Sequence, residues 1–368
     1  MSDVLILGGG IVGLLSALEL TQRGRKVTIV DGGSPPASWA GGGILSPLHA
    51  WRCSRFLNQL TVDGVARYRR LVDMLESGGY TQTGGLLNQG GMWVQGLEDE
   101  LDDASRWATS WGVEHAFMSS ADIPGKLVRK DLQGIFFPGL GNVRNPGLLK
   151  ALRAYLCDRG VVMEHANVSA VSSVEKGAHV AAVDGRQWRA DQAVICAGFG
   201  TAGLLEKMGV SLPLFPAKGE MLLYQLSPGD VSAVMLTDEG YLIPRNDGAV
   251  LVGSTLRKGD ASHYPTVAGR YALERLAQQL MPGLVETKPC YHWAGVRPGC
   301  DRDYPYLGPL PHANGIYVAT GHYRNGLVAA PASAELLVQG MCGESPFVDP
   351  SPYSVPSSSR SSSSFLRR

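Results

Sequence analysis

Four apolar residues, Val4-Leu5-Ile6-Leu7, run straight into Gly8-Gly9-Gly10-Ile11-Val12-Gly13, and a helical pattern of Leu14, Leu15, Ala17, Leu18 and Leu20 follows without a break. A strand feeding a glycine turn and then a helix has few folds open to it. Gly24 closes the helix, Lys26-Val27-Thr28-Ile29-Val30 reads as a second buried strand, and Asp31 ends it eighteen residues after Gly13. This is a βαβ unit at the head of a doubly wound sheet. Each part has a mechanical reason. Gly8 allows the turn and Gly10 lets a pyrophosphate approach the N–H groups at the helix start. Gly13 lets helix pack on strand, and Asp31 can accept hydrogen bonds from a ribose diol. The motif alone does not separate NAD from FAD.

A second small-residue stretch, Ala37-Ser38-Trp39-Ala40-Gly41-Gly42-Gly43-Ile44, is suited to backbone packing against a flat ring, which points to a flavin. Farther on the patterns alternate. Short strand-like pieces such as Gly91-Met92-Trp93-Val94 occupy 80–140; a helix at Leu148 to Cys157 and strands at 160–164 and 192–198 return to the nucleotide fold. Between Lys218 and Ser254 strand alternation reads as an antiparallel sheet, and Ile316–Gly321 with Ala330–Met341 reads as the last strand and helix. The expected architecture is α/β. A discontinuous doubly wound domain that would bind the flavin nucleotide (1–80, 141–215 and 290–345) carries a second, substrate-binding domain on an antiparallel or mixed sheet (81–140 and 216–289). Residues 348–368 are Pro/Ser-rich and are expected to be disordered.

Composition excludes several classes. Lys plus Arg and Asp plus Glu each number 33, so there is no basic surplus for nucleic acid. The six cysteines form no C-x-x-C pair and no zinc spacing, so no metal is assigned and a reduced, cytoplasmic setting fits. Val4 to Leu20 is apolar enough to resemble an export signal, but Asp3 precedes it, no Lys or Arg does, and glycines interrupt it. No basic amphipathic helix suggests stable membrane association.

The unit from Gly8 to Asp31, the stretch Ala37 to Ile44, Trp293-Ala294-Gly295-Val296-Arg297-Pro298 and Gly321-His322-Tyr323-Arg324-Asn325-Gly326 together resemble the FAD-dependent D-amino acid oxidase superfamily, and within it the glycine oxidase branch associated with thiamine biosynthesis. The resemblance spans about Val4 to Leu337 and implies that the doubly wound domain is an FAD-binding, glutathione-reductase-like one. It implies non-covalent FAD, and oxidation of glycine (or sarcosine or small D-amino acids) with molecular oxygen and water. Hydride transfer gives an imine, then glyoxylate, ammonia and hydrogen peroxide, the imine serving thiazole and thiamine formation. It also implies a homo-oligomer, a tetramer in the family. The cofactor residues it implies are Gly8, Gly10, Ile11, Val12, Gly13, Asp31, Gly32, Ala37, Ser38, Gly42, Gly43, Ile44, Val168, Ala197, Gly198, His322, Tyr323, Arg324, Asn325, Gly326 and Leu327. Asp31 departs from the family's commoner Glu, and the shorter carboxylate still suits a ribose.

The chemistry asks for an arginine, because a guanidinium fork fixes both the angle and the distance of an amino acid's carboxylate. Arg297 is the choice, against a structural arginine pairing with Asp301 or Asp303. Tyr241 matches the family's substrate tyrosine, with a plain core tyrosine as the alternative, and Arg324 completes the substrate set. No residue is assigned as acid or base: hydride transfer from a neutral amine needs none, and His322 reads as packing or capping. Cys300 or Cys342 as a covalent flavin link, and His49 to Arg52 as an entrance, are weaker readings, and Trp107 with Trp111 reads as core. An FAD-linked 2-hydroxy-acid dehydrogenase and a nucleotide sensor without chemistry are the rival functions.

Overall fold

The computed structural model describes residues 2–34, 36–126, 128–175, 177–284 and 287–357. The strand Val4–Leu7 alternates between two cores: Val4 and Ile6 face one, Leu5 and Leu7 the other, and none is more than 1% exposed. An uninterrupted apolar run needs cover on both faces, and a parallel sheet supplies it. Six strands line up in the order Tyr306–Pro309, Ile316–Thr320, Gln192–Ile195, Val4–Leu7, Val27–Asp31, Val162–His165. Neighbours are parallel except at the Tyr306–Pro309 edge.

The helices Ile11–Gln22, Asn145–Asp158 and Gly326–Cys342 contribute to the core on one face of this sheet. Three antiparallel strands, Val168–Val174, Gly177–Ala182 and Gln187–Ala190, contribute to the other. Strand order reverses between Val4–Leu7 and Gln192–Ile195, so a crevice opens at their carboxyl ends, beside Gly8 and Ala197; such switch points are where open α/β sheets bind ligands.

The second sheet has nine strands among the described residues. Its longest, Leu214–Gln225, pairs on one edge with Tyr291–Cys300 from Leu214↔Cys300 to Leu223↔Tyr291, and on the other with Arg257–Lys258 and Ala249–Gly253. Tyr241–Pro244 follows next to Ala249–Gly253. The helix Val267–Leu280 lays Leu273, Leu276, Ala277 and Leu280 into the core on this sheet.

The observed elements correct the sequence reading in four places. Tyr291–Cys300, grouped above with the cofactor domain, belongs to the second sheet, and so does Leu214. The last helix begins at Gly326, four residues before Ala330, so the polar loop runs directly into a helix N-terminus. Trp107 packs against the core beside Leu101, Ala104 and Ala108, as expected, but Trp111 is half-buried outside it. Residues 348–357 are ordered: Tyr353 is fully buried, donates to Phe56 O at 2.8 Å, and Val355 is buried too. Arg302 donates to Pro352 O at 2.9 Å and Tyr353 O at 3.2 Å. The remainder of the expected tail, 358–368, lies outside the described residues. Among the described residues no helix is long and apolar enough to cross a membrane.

Candidate active site

A cavity of about 600 Å³ begins at the first glycine turn and ends against the second sheet. At its start the backbone is tightly specified. Gly8 has φ +118°, a value side chains other than glycine rarely adopt, and a Cβ there would overlap the Cys196 carbonyl. A Cβ on Gly13 would overlap the Gly8 carbonyl, so the helix touches the strand only because Gly13 has no side chain. No side chain caps the helix at Gly10, and of the first N–H groups that of Ile11 donates to Ser38 Oγ at 3.0 Å. A helix start left open in this way is an anion site. Asp31 lines the cavity and accepts from the Gly9 N–H and, at 2.8 Å, from the Gly33 N–H. A carboxylate accepts about four hydrogen bonds, so capacity is left for a diol. These features fit a dinucleotide of the FAD type.

The glycine-rich stretch is pinned from behind. Asn145 Nδ2 donates to the carbonyls of Ser38 at 2.6 Å, Trp39 at 3.2 Å and Gly41 at 2.8 Å. Arg245 donates to Gly42 O at 2.9 Å, to Val143 O at 2.8 Å and to Asn142 Oδ1. Complete burial pushes the Arg245 guanidinium down to about 9. Its donors are taken up by carbonyl oxygens, so it offers no substrate anchor. Trp293 Nε1 donates to Ala40 O at 2.9 Å and ties the second sheet to the same stretch.

At the far end Arg297, Tyr241 and Arg324 line the same cavity. Arg297 Nη2 donates to Ser254 Oγ at 2.9 Å, while Nη1 is buried with no hydrogen-bond partner. Neither aspartate considered as a structural partner reaches it: Asp301 accepts from the Tyr306 hydroxyl at 2.9 Å, and Asp303 from the Ser54 N–H at 2.6 Å. Tyr241 is buried opposite Gly253 in the ladder and faces Gly42. Arg324 is exposed. His322 is buried, its Nε2 lies 3.2 Å from Ser333 Oγ, and burial pushes its imidazole down to about 4.

The cavity thus brings together most of the residues expected from sequence: Gly8, Gly10, Ile11, Val12, Asp31, Gly32, Ala37, Ser38, Gly42, Gly43, Ile44, Val168, Ala197, Gly198, His322, Tyr323, Arg324, Gly326 and Leu327 with Arg297 and Tyr241. Gly13 and Asn325 stand behind the wall; Gly13 packs on Gly8, and the Asn325 N–H donates to His322 O at 3.0 Å. Sequence reasoning missed Asn145, Asn167, Phe199, Lys207 and His263 in the wall. It also missed Arg153, which donates to Gly9 O at 2.6 Å. An Asn-Pro pair opening the Asn145 helix was the one available signal for Asn145. The others come from loops far apart in the chain.

Cys300 and Cys342 do not line the cavity, whereas Cys196 does, with its thiol pushed up to about 12 by burial. No metal was assigned from sequence, and His49, Glu100 and Asp238 converge to within 4.8 Å. Arg52 already bridges the two carboxylates, so the group is an ion-pair cluster. Burial, and then the charge of Arg52, lowers the pKa of His49.

Residues 3–339 match the model of the FAD dependent oxidoreductase family. The chain is 36% identical over 365 residues to a glycine oxidase of Pseudomonas aeruginosa, covering 95% of this chain and 97% of that one. It is 31% identical to the bifunctional protein ThiO/ThiG of Synechocystis, covering 91% of this chain and 51% of that protein. The crystal structure of a glycine oxidase from Geobacillus kaustophilus superposes with a TM-score of 0.89 at 26% identity, over 96% and 98% of the two chains.

Proposed function

Because the chain belongs to the family of FAD-dependent oxidoreductases, we propose that it is an amino acid oxidase acting on glycine, with Arg297 holding the substrate's carboxylate. The observation that carries this is Arg297 Nη1, a buried guanidinium donor without a partner in the wall of the cavity. An unmet buried donor is costly, and a bound carboxylate relieves the cost with a charge-assisted bond. Tyr241, in the same wall, offers a phenol to share that carboxylate. The relatives named glycine oxidase support the choice of substrate, with sarcosine and small D-amino acids as further candidates.

FAD would be held by the open helix start at Gly10, the Asp31 carboxylate, the stretch Ala37 to Ile44, and the loop from His322 to Leu327. When bound, it supplies a hydride acceptor. Non-covalent attachment is supported by the cysteines: Cys300 and Cys342 lie off the cavity wall, and burial raises the pKa of the Cys196 thiol. The protein's own task is binding and orientation. Arg297 and Tyr241 fix one end of the amino acid, which sets the direction of its α-hydrogen. His322 is bonded to Ser333 and its basicity is lowered by burial, so it is poorly suited to taking up that hydrogen as a proton. The helix start at Gly326 offers N–H groups and a positive dipole end to negative charge building up beside them.

Oxygen as the acceptor and an imine as first product complete the reading, water then releasing glyoxylate and ammonia. The Synechocystis relative, in which such a chain makes up about half of a bifunctional protein, supports supply of that imine to thiamine formation. Six cysteines without a disulfide support a reducing, cytoplasmic setting. The 2-hydroxy-acid dehydrogenase alternative is not favoured, since the relatives at 36% identity are glycine oxidases. The test is peroxide release by the purified yellow protein with glycine, sarcosine, D-alanine and L-alanine. Glycine among the best substrates is expected; release from L-alanine alone contradicts the reading.

A further inference from the structure

Arg297 reaches its place by leaning across the ladder. Its direct partner on the neighbouring strand is Ala217, yet a Cβ on Gly219, two residues along, would overlap the guanidinium carbon and both terminal nitrogens. The planar group therefore lies on bare Gly219 backbone. Ser254, just past the strand Ala249–Gly253, takes one edge of the plane by accepting from Nη2 at 2.9 Å, and the other edge, Nη1, is left without a partner.

The segment carrying Ser254 is itself anchored. Thr255 Oγ1 accepts the Glu220 N–H at 2.9 Å. The fully buried Glu220 carboxylate accepts from the Thr266 N–H at 2.8 Å and hydroxyl at 2.9 Å, with His292 Nε2 at 3.0 Å. Lys218 Nζ, also buried, lies 3.6 Å from it. Gly219 and Glu220 are consecutive, so one short stretch supplies both the floor under the guanidinium and the anchor behind the serine.

We propose that Ser254, with Gly219, is a positioning residue for substrate selection: it fixes the rotation of the Arg297 guanidinium so that Nη1 is presented to a carboxylate. The inference rests on the carboxylate role given to Arg297 above. A hydroxyl suits the task because it orients the fork without neutralising it. An aspartate at the same place would bring a carboxylate of its own and compete with the substrate for the charge.

The test uses the full-length, FAD-loaded protein and three variants, Ser254→Ala, Ser254→Thr and Ser254→Asp. Acetate, a carboxylate that cannot be oxidised, is titrated against the visible flavin spectrum, and KM and kcat are measured with glycine. Loss of a hydrogen bond to a charged group corresponds to about tenfold, so Ser254→Ala should raise both the acetate Kd and the glycine KM by about that factor. Flavin content should stay at the wild-type level. Ser254→Thr, which keeps the hydroxyl, should restore both constants, and Ser254→Asp should abolish the acetate response. An acetate Kd unchanged in Ser254→Ala overturns the proposal, even if Ser254→Asp fails to fold. So does equal loss of FAD from Ser254→Ala and Ser254→Thr, which would make the position structural. If the wild-type protein neither binds acetate nor oxidises glycine, the role of Arg297 falls first.

Discussion

A guanidinium resting on glycine backbone and held along one edge by a serine is a different object from an ammonium in the same place. Arg297→Lys keeps the charge and loses the planar fork, so kcat/KM with glycine should fall by roughly 30- to 1000-fold, about 2–4 kcal/mol of transition-state binding. Flavin content should not change; loss of FAD in step with activity would make Arg297 structural. His322 offers a second test at this scale. Its imidazole titrates near 4 in the fold because burial disfavours the charge, below the ordinary value near 6.5. The fold therefore gains from the neutral form at pH above 6.5 and loses that gain as pH falls from there toward 4, roughly 3 kcal/mol in all. His322→Gln should flatten this acid limb in denaturant titrations run at stepped pH. The same variant, with FAD bound, should still be reduced by glycine. An unchanged acid limb would mean that His322 titrates normally. That Arg297 would line the cavity was legible because binding a carboxylate asks for an arginine beside a strand pattern, whereas Tyr241 was reached through the family resemblance, with a core tyrosine left open. Ser254 was not, since nothing in a Gly-Ser-Thr run says which side chain it will face.

Among elements, the βαβ unit was legible because every one of its local signals agrees: an apolar run, a glycine turn, helical spacing and a terminal acid. The three strands between Val168 and Ala190 were not, because their alternation runs through Ala, Ser and Gly, which mark a strand weakly. Composition misled at the C-terminal end. Pro and Ser around Tyr353 look like a linker, yet one buried aromatic, its hydroxyl on Phe56 O, docks residues 351–353 onto the first core. Tyr353→Ala should accordingly cost about 3–5 kcal/mol, the usual range for emptying a buried aromatic site. Urea unfolding followed by circular dichroism measures it, and a change below about 1 kcal/mol, the scale of an ordinary surface substitution, would show that the segment adds nothing.

At the scale of the molecule the cavity exists only because two sheets meet. The parallel sheet supplies the Gly8 turn, Asp31 and the loop after Thr320; the second sheet supplies Tyr241 and Arg297. Asn145, Arg245 and Trp293 hold the glycine-rich stretch between them. This junction was the least legible part of the sequence, since its three fasteners lie far apart in the chain and bond to backbone carbonyls. In the proposed mechanism glycine, held through its carboxylate, would give up its α-hydrogen to bound FAD with no protein base. The most direct measurement is anaerobic rapid mixing of the FAD-loaded protein with glycine and with α-deuterated glycine, followed at the visible flavin band. Complete bleaching by both is expected, slower with the deuterated substrate, at a rate that rises with pH as the bound amine loses its proton. Failure of glycine to bleach the band, or bleaching lost altogether in His322→Gln with FAD still bound, would contradict it.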